Sequence, residues 1–486
     1  MNTPLTRRTL LAGAGVGAVA AGLGVRPASS DTPRPRDTRP PNILLFTVDD
    51  MHGGSPGCFG GRADLTPNID RLAGEGVAFH RAHVPIALCQ PSRSALMTGR
   101  FPHRNGAEGF EDIAPGVPIL NELLRPLNYL TGILGKVGHL GPADRFAWDL
   151  SVLPDEQLGM GRNPADYARH ATELFVRAKS EDRPFFLMAN SEDPHRPFSG
   201  SAAEQNRFDE DELASIAAPS KVYGPDDAEV PGYLPDLPEI RQEVAQYMSS
   251  ARRADDTLAA VLAALDASGL AGDTIVIFMS DNGMAVPFGK ANVYEQCTRT
   301  PLIVRWPGVT GAGRVDDQHF VSTMDLFPTL CLAAGATVPE GPDGRDLTPL
   351  LQGGSQSGRD RINTVFHESS SDQRYDMRGV HDERWSYIWN AWSDGSLNYR
   401  AENMQGLTWP AMRDSTDPAI AARAQFYLLR VREELYDLAN DPHALNNLAD
   451  GGAPEALAGG RAAMDAWMGS TGDPLHDQYR EEIINA

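Results

Sequence analysis

Two segments place carboxylate and amide oxygens where apolar runs end. Asn42-Ile43-Leu44-Leu45-Phe46-Thr47-Val48 is followed by Asp49-Asp50, and the run Thr274 to Met279 by Ser280-Asp281-Asn282-Gly283. Three carboxylates and an amide oxygen make a hard, all-oxygen donor set, suited to Ca²⁺ or Mg²⁺ rather than to Zn²⁺. Either segment alone reads equally well as a turn or a helix cap. Their joint placement at two strand ends is what points to a metal. A third segment, Cys89-Gln90-Pro91-Ser92-Arg93, runs on to Thr98-Gly99-Arg100. By this chain's own composition a C-x-P-x-R pattern is expected only about 0.02 times by chance. Pro91 fits the first turn of a helix. Cys89 then meets free N–H groups and the positive end of the helix dipole, where an anion is stabilised. The plainer alternative is a buried cysteine at the start of an ordinary helix.

These groups need a scaffold that brings distant strand ends together. Continuous apolar runs at Asn42 to Val48, Tyr129 to Leu134, Pro184 to Ala189, Thr274 to Met279 and Pro301 to Val304 read as strands buried on both faces. Helical stretches lie between them, the longest from about Glu239 to Ser268 with Gly269 as its stop. Strands alternating with helices predict an α/β fold with a mostly parallel sheet sandwiched by helices, its reactive groups at the carboxyl ends of the strands. After about residue 345 comes a Gly/Ser/Asp-rich linker, Gln352 to Asp360, then shorter alternating segments such as Trp385-Ser386-Tyr387-Ile388-Trp389. These predict a smaller C-terminal α+β unit with an antiparallel sheet. The expected organisation is 1–30 signal, 31–41 linker, 42–350 catalytic domain and 360–482 C-terminal subdomain.

Composition narrows the function. The 486 residues carry 43 Lys+Arg against 65 Asp+Glu, a formal charge of −22, which argues against a nucleic-acid or anionic-membrane partner. Only four of the cations are lysines: Lys136, Lys179, Lys221 and Lys290. Where arginine is the habit, a lysine hints at an oxygen contact that a planar guanidinium would not fit. The four cysteines, at 58, 89, 297 and 331, have neither C-x-x-C nor zinc-site spacing and make no disulfide framework. Near the start, Arg7-Arg8 precedes a small-residue apolar run from Leu10 to Leu23, shorter than the ~18 residues of a membrane span. This reads as a Tat signal peptide. It implies the Tat translocon as a partner, a periplasmic or extracellular destination, and no stable membrane insertion after cleavage. The mature chain loses Arg7, Arg8 and Arg26 but no acid, so −22 becomes −25. Residues 31 to 41 form a Pro-rich tether.

Cys89 to Arg93 with Thr98-Gly99-Arg100 resembles the signature of the type I sulfatases, in which that cysteine is converted to formylglycine. The resemblance continues in order along nearly the whole mature chain: Thr66 to Ala73, Gly135-Lys136-Val137-Gly138-His139, Asp193-Pro194-His195-Arg196-Pro197, Gly289-Lys290-Ala291-Asn292-Val293-Tyr294-Glu295, Arg299 to Val304, Val321 to Gly335, and Glu434-Leu435-Tyr436-Asp437-Leu438 with Asn446 to Ala449. It implies an alkaline-phosphatase-like fold and a formylglycine-generating enzyme as partner. It further implies a Ca²⁺ held by Asp49, Asp50, Asp281, Asn282 and an oxygen of modified Cys89. Arg93 would hold the formylglycine hydrate. Lys136 and His139 would contact the hydrate and the sulfate, and His195 and Lys290 would bind sulfate or protonate the leaving group. The resemblance also implies that one hydroxyl of the hydrate would attack sulfur and that the second would then expel sulfate. Many sulfatases read Lys-x-His where this chain reads Lys136-x-x-His139.

Within the family the likeness runs to the sulfamidase branch, the N-sulfoglucosamine sulfohydrolases. It rests on His103-Arg104-Asn105-Gly106, Met377-Arg378-Gly379-Val380 and Ala424-Gln425-Phe426-Tyr427. The stretch Phe366 to Arg378 is shorter than the corresponding sulfamidase segment and lacks its paired histidines. The negative charge predicts action on small or terminal sulfated sugars, because long polysulfated chains are repelled. Three alternatives stay open: an O-sulfatase on glycan or aryl sulfates, a phosphonate or phosphodiester hydrolase, and a non-catalytic sulfoglycan-binding protein.

Overall fold

The computed structural model describes residues 39–485, so the Tat signal and nearly all of the Pro-rich tether lie outside the described residues. Pro40–Ala486 forms one compact unit. Among the described residues no helix is long and apolar enough to cross a membrane.

Ten strands precede residue 323: β1 (Asn42–Val48), β2 (Val77–Phe79), β3 (Ala82–His83), β4 (Leu130–Leu134), β5 (Leu150–Val152), β6 (Phe185–Asn190), β7 (Thr274–Ser280), β8 (Leu302–Arg305), β9 (Arg314–Asp316) and β10 (Val321–Ser322). Eight of them form one sheet in the order β5-β4-β6-β1-β7-β8-β2-β9, and β3 pairs with β10 apart from it. The large sheet is parallel except at β8, which runs antiparallel to β7 and to β2. The five strands expected from apolar runs are β1, β4, β6, β7 and β8. The short edge strands β5 and β9 and the three-residue β2 had no such run.

Along β1 successive side chains enter opposite layers, as strand geometry requires. Leu44, Phe46 and Val48 pack with Tyr167, Leu174, Leu258 and Leu265 from the helices Pro164–Glu181 and Pro238–Ser268. Ile43 and Leu45 pack with Leu96, Leu326 and Leu330 from the helices Cys89–Thr98 and Leu326–Ala334. Both faces are therefore covered, which is why β1 is apolar without alternation. Each fully buried leucine adds about 1.5–3 kcal/mol relative to exposure. The long helix ends at Gly269, whose φ of 76° is the left-handed cap that favours glycine.

The second sheet is antiparallel and joins β11 (Arg361–Glu368), β12 (Arg374–Asp382), β13 (Trp385–Asn390) and β14 (Glu433–Asp437) in that order. Met464 and Met468 of the helix Pro454–Thr471 pack on Tyr387, Trp389 and Leu435 of its strands. A bridge between Ile86 and Val365 links the segment before Cys89 to β11.

Register delivers the site. β1 and β7 pair from Asn42↔Thr274 to Val48↔Ser280, so Asp49-Asp50 and Asp281-Asn282 leave the sheet side by side. On the other flank Thr47 pairs with Asn190 of β6, which places Ser191 to His195 beside Asp49.

Candidate active site

The backbone first turns the carboxylates inward. Asp50 has φ 67° and Lys136 φ 53°, left-handed conformations rare for residues with a side chain and typical of functional sites. The Asp50 amide donates to Asp281 Oδ1 at 3.2 Å, and the Asp49 amide to the Asp193 carbonyl at 3.2 Å. The Asp193 carboxylate accepts two hydrogen bonds from Arg253 on the long helix, at 2.6 and 3.0 Å.

Ligand atoms of Asp49, Asp50 and Asp281 lie within 4.8 Å of one another, as do those of Asp49, Cys89 and His195. Asp49 Oδ1, Asp50 Oδ2 and Asn282 Oδ1 are buried and accept no hydrogen bond. Converging, unsatisfied oxygens without a soft donor among them fit a divalent hard cation such as Ca²⁺. Burial and then the Asp49 charge push the Asp281 carboxyl up to about 8, against the pull of Arg93, because three carboxylates crowd one place. A bound cation would reverse that balance.

Cys89 opens a fully buried helix, Cys89–Thr98, with Pro91 in its first turn. Burial and the nearby Asp49 charge hold the thiol far above its usual range, so as a cysteine it is a poor nucleophile. Lys290 Nζ lies 3.4 Å from Cys89 Sγ and donates to Asp50 Oδ1 at 2.5 Å. Burial opposes its charge, yet Asp50, Cys89 and Asp49 together raise its pKa. Lys136 pairs with Asp49 Oδ2 and, at 2.7 Å, with Glu192 Oε2. There too the carboxylates outweigh burial and keep the ammonium charged.

The hydrogen bonds of Arg93 go to groups other than Cys89, which lies close enough to act on its charge. Its Nε and Nη2 donate to Asp281 Oδ2 at 3.1 and 2.7 Å, and its Nη1 to Asn190 Oδ1 at 2.6 Å and Thr47 Oγ1 at 2.9 Å. The guanidinium thus braces the Asp281 carboxylate against two strand ends.

The two histidines form the open side. The His195 side chain is 34% exposed, its Nε2 3.8 Å from Asp50 Oδ2, and its Nδ1 lies 2.5 Å from the Arg196 carbonyl. That carbonyl can only accept, so Nδ1 carries the proton and Nε2 the lone pair. Burial, against the attraction of Asp50, lowers the pKa of His195. His139 ends the short 3-10 turn Val137–His139, which absorbs the extra residue after Lys136. Its ring packs edge-on to Phe110 at 6.1 Å, and burial with the Lys136 charge lowers its pKa to about 3.

All ten residues predicted for the site therefore gather at one end of the large sheet. Sequence reading missed Glu192, Asn190, Thr47 and Arg253, the partners that orient them. Asn190 ends β6 and Glu192 lies two residues beyond it, beside the noted Asp193–Pro197 segment. Arg253 had no local signal.

A mixed sheet carries a buried Asp/Asp/Asp/Asn oxygen cluster beside a helix-initiating cysteine. The sulfatase family matches residues 41–336, and the family described as N-sulphoglucosamine sulphohydrolase, C-terminal, matches residues 283–395. Human N-sulphoglucosamine sulphohydrolase is 30% identical, covering 90% of this chain and 91% of its own length. Human arylsulfatase A is 31% identical over 90% of this chain and 88% of its own. In fold, the chain is similar to the phosphonate monoester hydrolase of Agrobacterium radiobacter, with a TM-score of 0.64, 21% identity, and coverage of 89% of this chain and 96% of the other. The chain belongs to the sulfatase family. It is a hydrolase of sulfate esters or sulfamates.

Proposed function

We propose that the chain is a formylglycine-dependent, Ca²⁺-assisted sulfatase that removes the N-sulfo group from glucosamine in small or terminal sulfated sugars. The observation that carries the mechanism is the position of Cys89, which shares ligand-atom distance with Asp49 and His195 while Lys290 reaches its sulfur at 3.4 Å. The similarity to human N-sulphoglucosamine sulphohydrolase and to its C-terminal family supports the N-sulfo substrate.

Asp49, Asp50, Asp281 and Asn282 would hold the Ca²⁺, with an oxygen on modified Cys89. The cation would supply charge neutralisation at a sulfate oxygen, and formylglycine an oxygen nucleophile in place of a protonated thiol. The remaining work falls to this chain's side chains. Lys136 and Lys290, both buried and charged, bind sulfate oxygens and offset the charge that develops on them. Arg93 keeps the Asp281 carboxylate aimed at the cluster. His139, neutral, donates or accepts at the sulfate without changing its charge. His195 is the proton carrier: with Nδ1–H held by the Arg196 carbonyl, Nε2 takes up a proton and delivers it to the departing nitrogen or oxygen.

Residues 42–350 are assigned the chemistry as a catalytic domain, and 360–482 the role of a C-terminal α+β subdomain. The twin-arginine start supports export by Tat to the periplasm or beyond, after a formylglycine-generating enzyme has acted. The charge of −25 on the mature chain supports action at sugar ends rather than within long polysulfated chains.

A second reading, an O-sulfatase, is supported by the similarity to arylsulfatase A. One experiment separates them. Protein from a host that modifies such cysteines is digested, and the Cys89 peptide is weighed; formylglycine makes it about 18 mass units lighter. The same protein is then given N-sulfoglucosamine, glucosamine 6-sulfate, an aryl sulfate and a phosphonate monoester. Release of sulfate from N-sulfoglucosamine fastest of the four is the expected result. Faster cleavage of either O-sulfate replaces the sulfamidase assignment, faster phosphonate cleavage replaces the sulfatase one, and an unmodified thiol with no turnover leaves a binding protein.

A further inference from the structure

Lys290 is held from a direction that the oxygen cluster does not explain. Its turn contains Phe288 at φ 64° and Ala291 at φ 54°. A left-handed residue other than glycine is strained, so surrounding structure must impose it. The Ala291 amide donates to the Ala87 carbonyl at 3.0 Å, which ties the turn to the segment entering Cys89. The opposite side is fixed at three consecutive residues by the stretch between β13 and β14. Asn403 Nδ2 donates to the Lys290 carbonyl, the Tyr399 hydroxyl to the Ala291 carbonyl, and Arg430 Nη2 to the Asn292 side-chain oxygen. Arg430 is buried and held in turn. Its Nη1 donates to the Tyr294 hydroxyl at 2.7 Å and to Glu434 Oε1 at 3.2 Å, and its guanidinium stands 4.8 and 4.9 Å from the ring centres of Tyr294 and Tyr427.

We infer that Tyr399, Asn403 and Arg430 are positioning residues that set Lys290 Nζ between Asp50 and Cys89, so that the C-terminal part of the chain completes the active site. Apolar side chains would fill the same space; donors aimed at successive groups of one strained turn do more, because they fix where its side chain starts. A flexible four-carbon stem brings the ammonium to a 2.5 Å contact only if its Cα is fixed to about 0.5 Å. The inference rests on the proposed role of Lys290 in sulfate hydrolysis.

The test removes one hydroxyl. Tyr399→Phe keeps the ring and loses the donor to Ala291 together with the long 3.4 Å contact from Asn292 Nδ2 on the same turn, and Asn403→Ala gives an independent second variant. Expected is a fall in kcat of about 10- to 100-fold, with KM changed less than about threefold and an unfolding midpoint close to that of the parent. In a Lys290→Ala background the same substitution lowers the rate by less than about twofold further, because its effect runs through Lys290. Losses that multiply in the double variant overturn the inference.

A readout without turnover keeps it separate from the sulfatase reading. The chain has four lysines, so protein carrying ¹³Cε-lysine gives few side-chain signals, and Lys290→Arg identifies one. The Lys290 signal moves in Tyr399→Phe and stays in Tyr387→Phe, which removes a hydroxyl bonded to Glu433 elsewhere in the C-terminal sheet. A Lys290 signal unmoved by Tyr399→Phe overturns the inference even in a fully active enzyme. A moved signal in protein that carries formylglycine yet cleaves no sulfate ester or sulfamate upholds the positioning and removes the reading of what the site does.

Discussion

Arg253 grips the Asp193 carboxylate with two nitrogens, at 2.6 and 3.0 Å, while the Asp193 carbonyl accepts the amide proton of Asp49. One side chain in the middle of the long helix thus fixes the peptide that aims the first carboxylate of the oxygen cluster. Both members are buried, so removing either leaves a charge short of its main partner.

Arg253→Met is expected to cost about 3 kcal/mol of stability, with Arg162 at 3.5 Å as the one remaining cation on Asp193 among the described residues. Urea unfolding measures it. Arg253→Lys recovers only part of the loss, since an ammonium lacks the two-pronged geometry. Equal stability of parent and Arg253→Met would show the pair to be ornamental.

Chelation addresses the cluster itself. Treatment with EDTA is expected to lower the melting temperature, and added Ca²⁺ to restore it; saturation at a hundred times Kd stabilises by about 2.7 kcal/mol. Asp49→Asn and Asn282→Ala blunt the response. Calorimetric titration of Ca²⁺ into the chelated protein gives the affinity directly, and no heat of binding together with an unchanged melting temperature would remove the metal.

A pH effect belongs to Glu368. Burial and then the neighbouring Glu111 raise its pKa from 4.5 to about 7. The folded chain therefore holds this proton where the unfolded chain has released it. Its contribution is complete below about pH 4.5 and is lost as pH rises through 7. Urea midpoints of the parent and of Glu368→Gln, taken at pH 5 and pH 7.5, are expected to differ more at pH 7.5, in favour of the variant. The same gap at both values would contradict the shift.

Asp255 caps a helix that it does not belong to. Its Oδ1 accepts from the amides of Asn68 and Ile69 at 3.0 and 2.8 Å, at the start of Pro67–Glu75, and its Oδ2 accepts from Asn68 Nδ2 at 2.7 Å. Asp255→Ala is expected to destabilise by about 2 kcal/mol, through the lost cap and stranded donors. Denaturant unfolding checks it, and a loss below half of that would mean that solvent replaces the cap.

The sheet and the placement of the candidate site residues were largely legible because both are local. β1 and β7 announce themselves as unbroken apolar runs, and Asp49, Asp50, Asp281 and Asn282 follow them without a gap. The direction of β8 was not legible, since Pro301 to Val304 has the same texture whichever way it runs. Nor were β2, β5 and β9, which are too short to carry a period. The supporting partners escaped for another reason. Arg253 and Asp193 are 60 residues apart, and Tyr399 and Ala291 are 108 apart, so nothing in either neighbourhood names the other. The Arg93 partners show the same limit: the signature marks the arginine, but only β1 and β6 lying side by side bring Thr47 and Asn190 to it.

The burial of Cys89 fixes an order of events. Only 4% of the residue meets solvent, behind a helix that is covered along its whole length. No second protein can close around that sulfur once β1 has paired with β7. Any enzyme that alters Cys89 must meet it as open chain, so folding closes the time in which the alteration can be made. If Cys89 is converted as proposed, a molecule that folds first would keep its thiol, and a preparation of identical sequences would divide into two populations, one altered and one not, in proportions set by a race during synthesis.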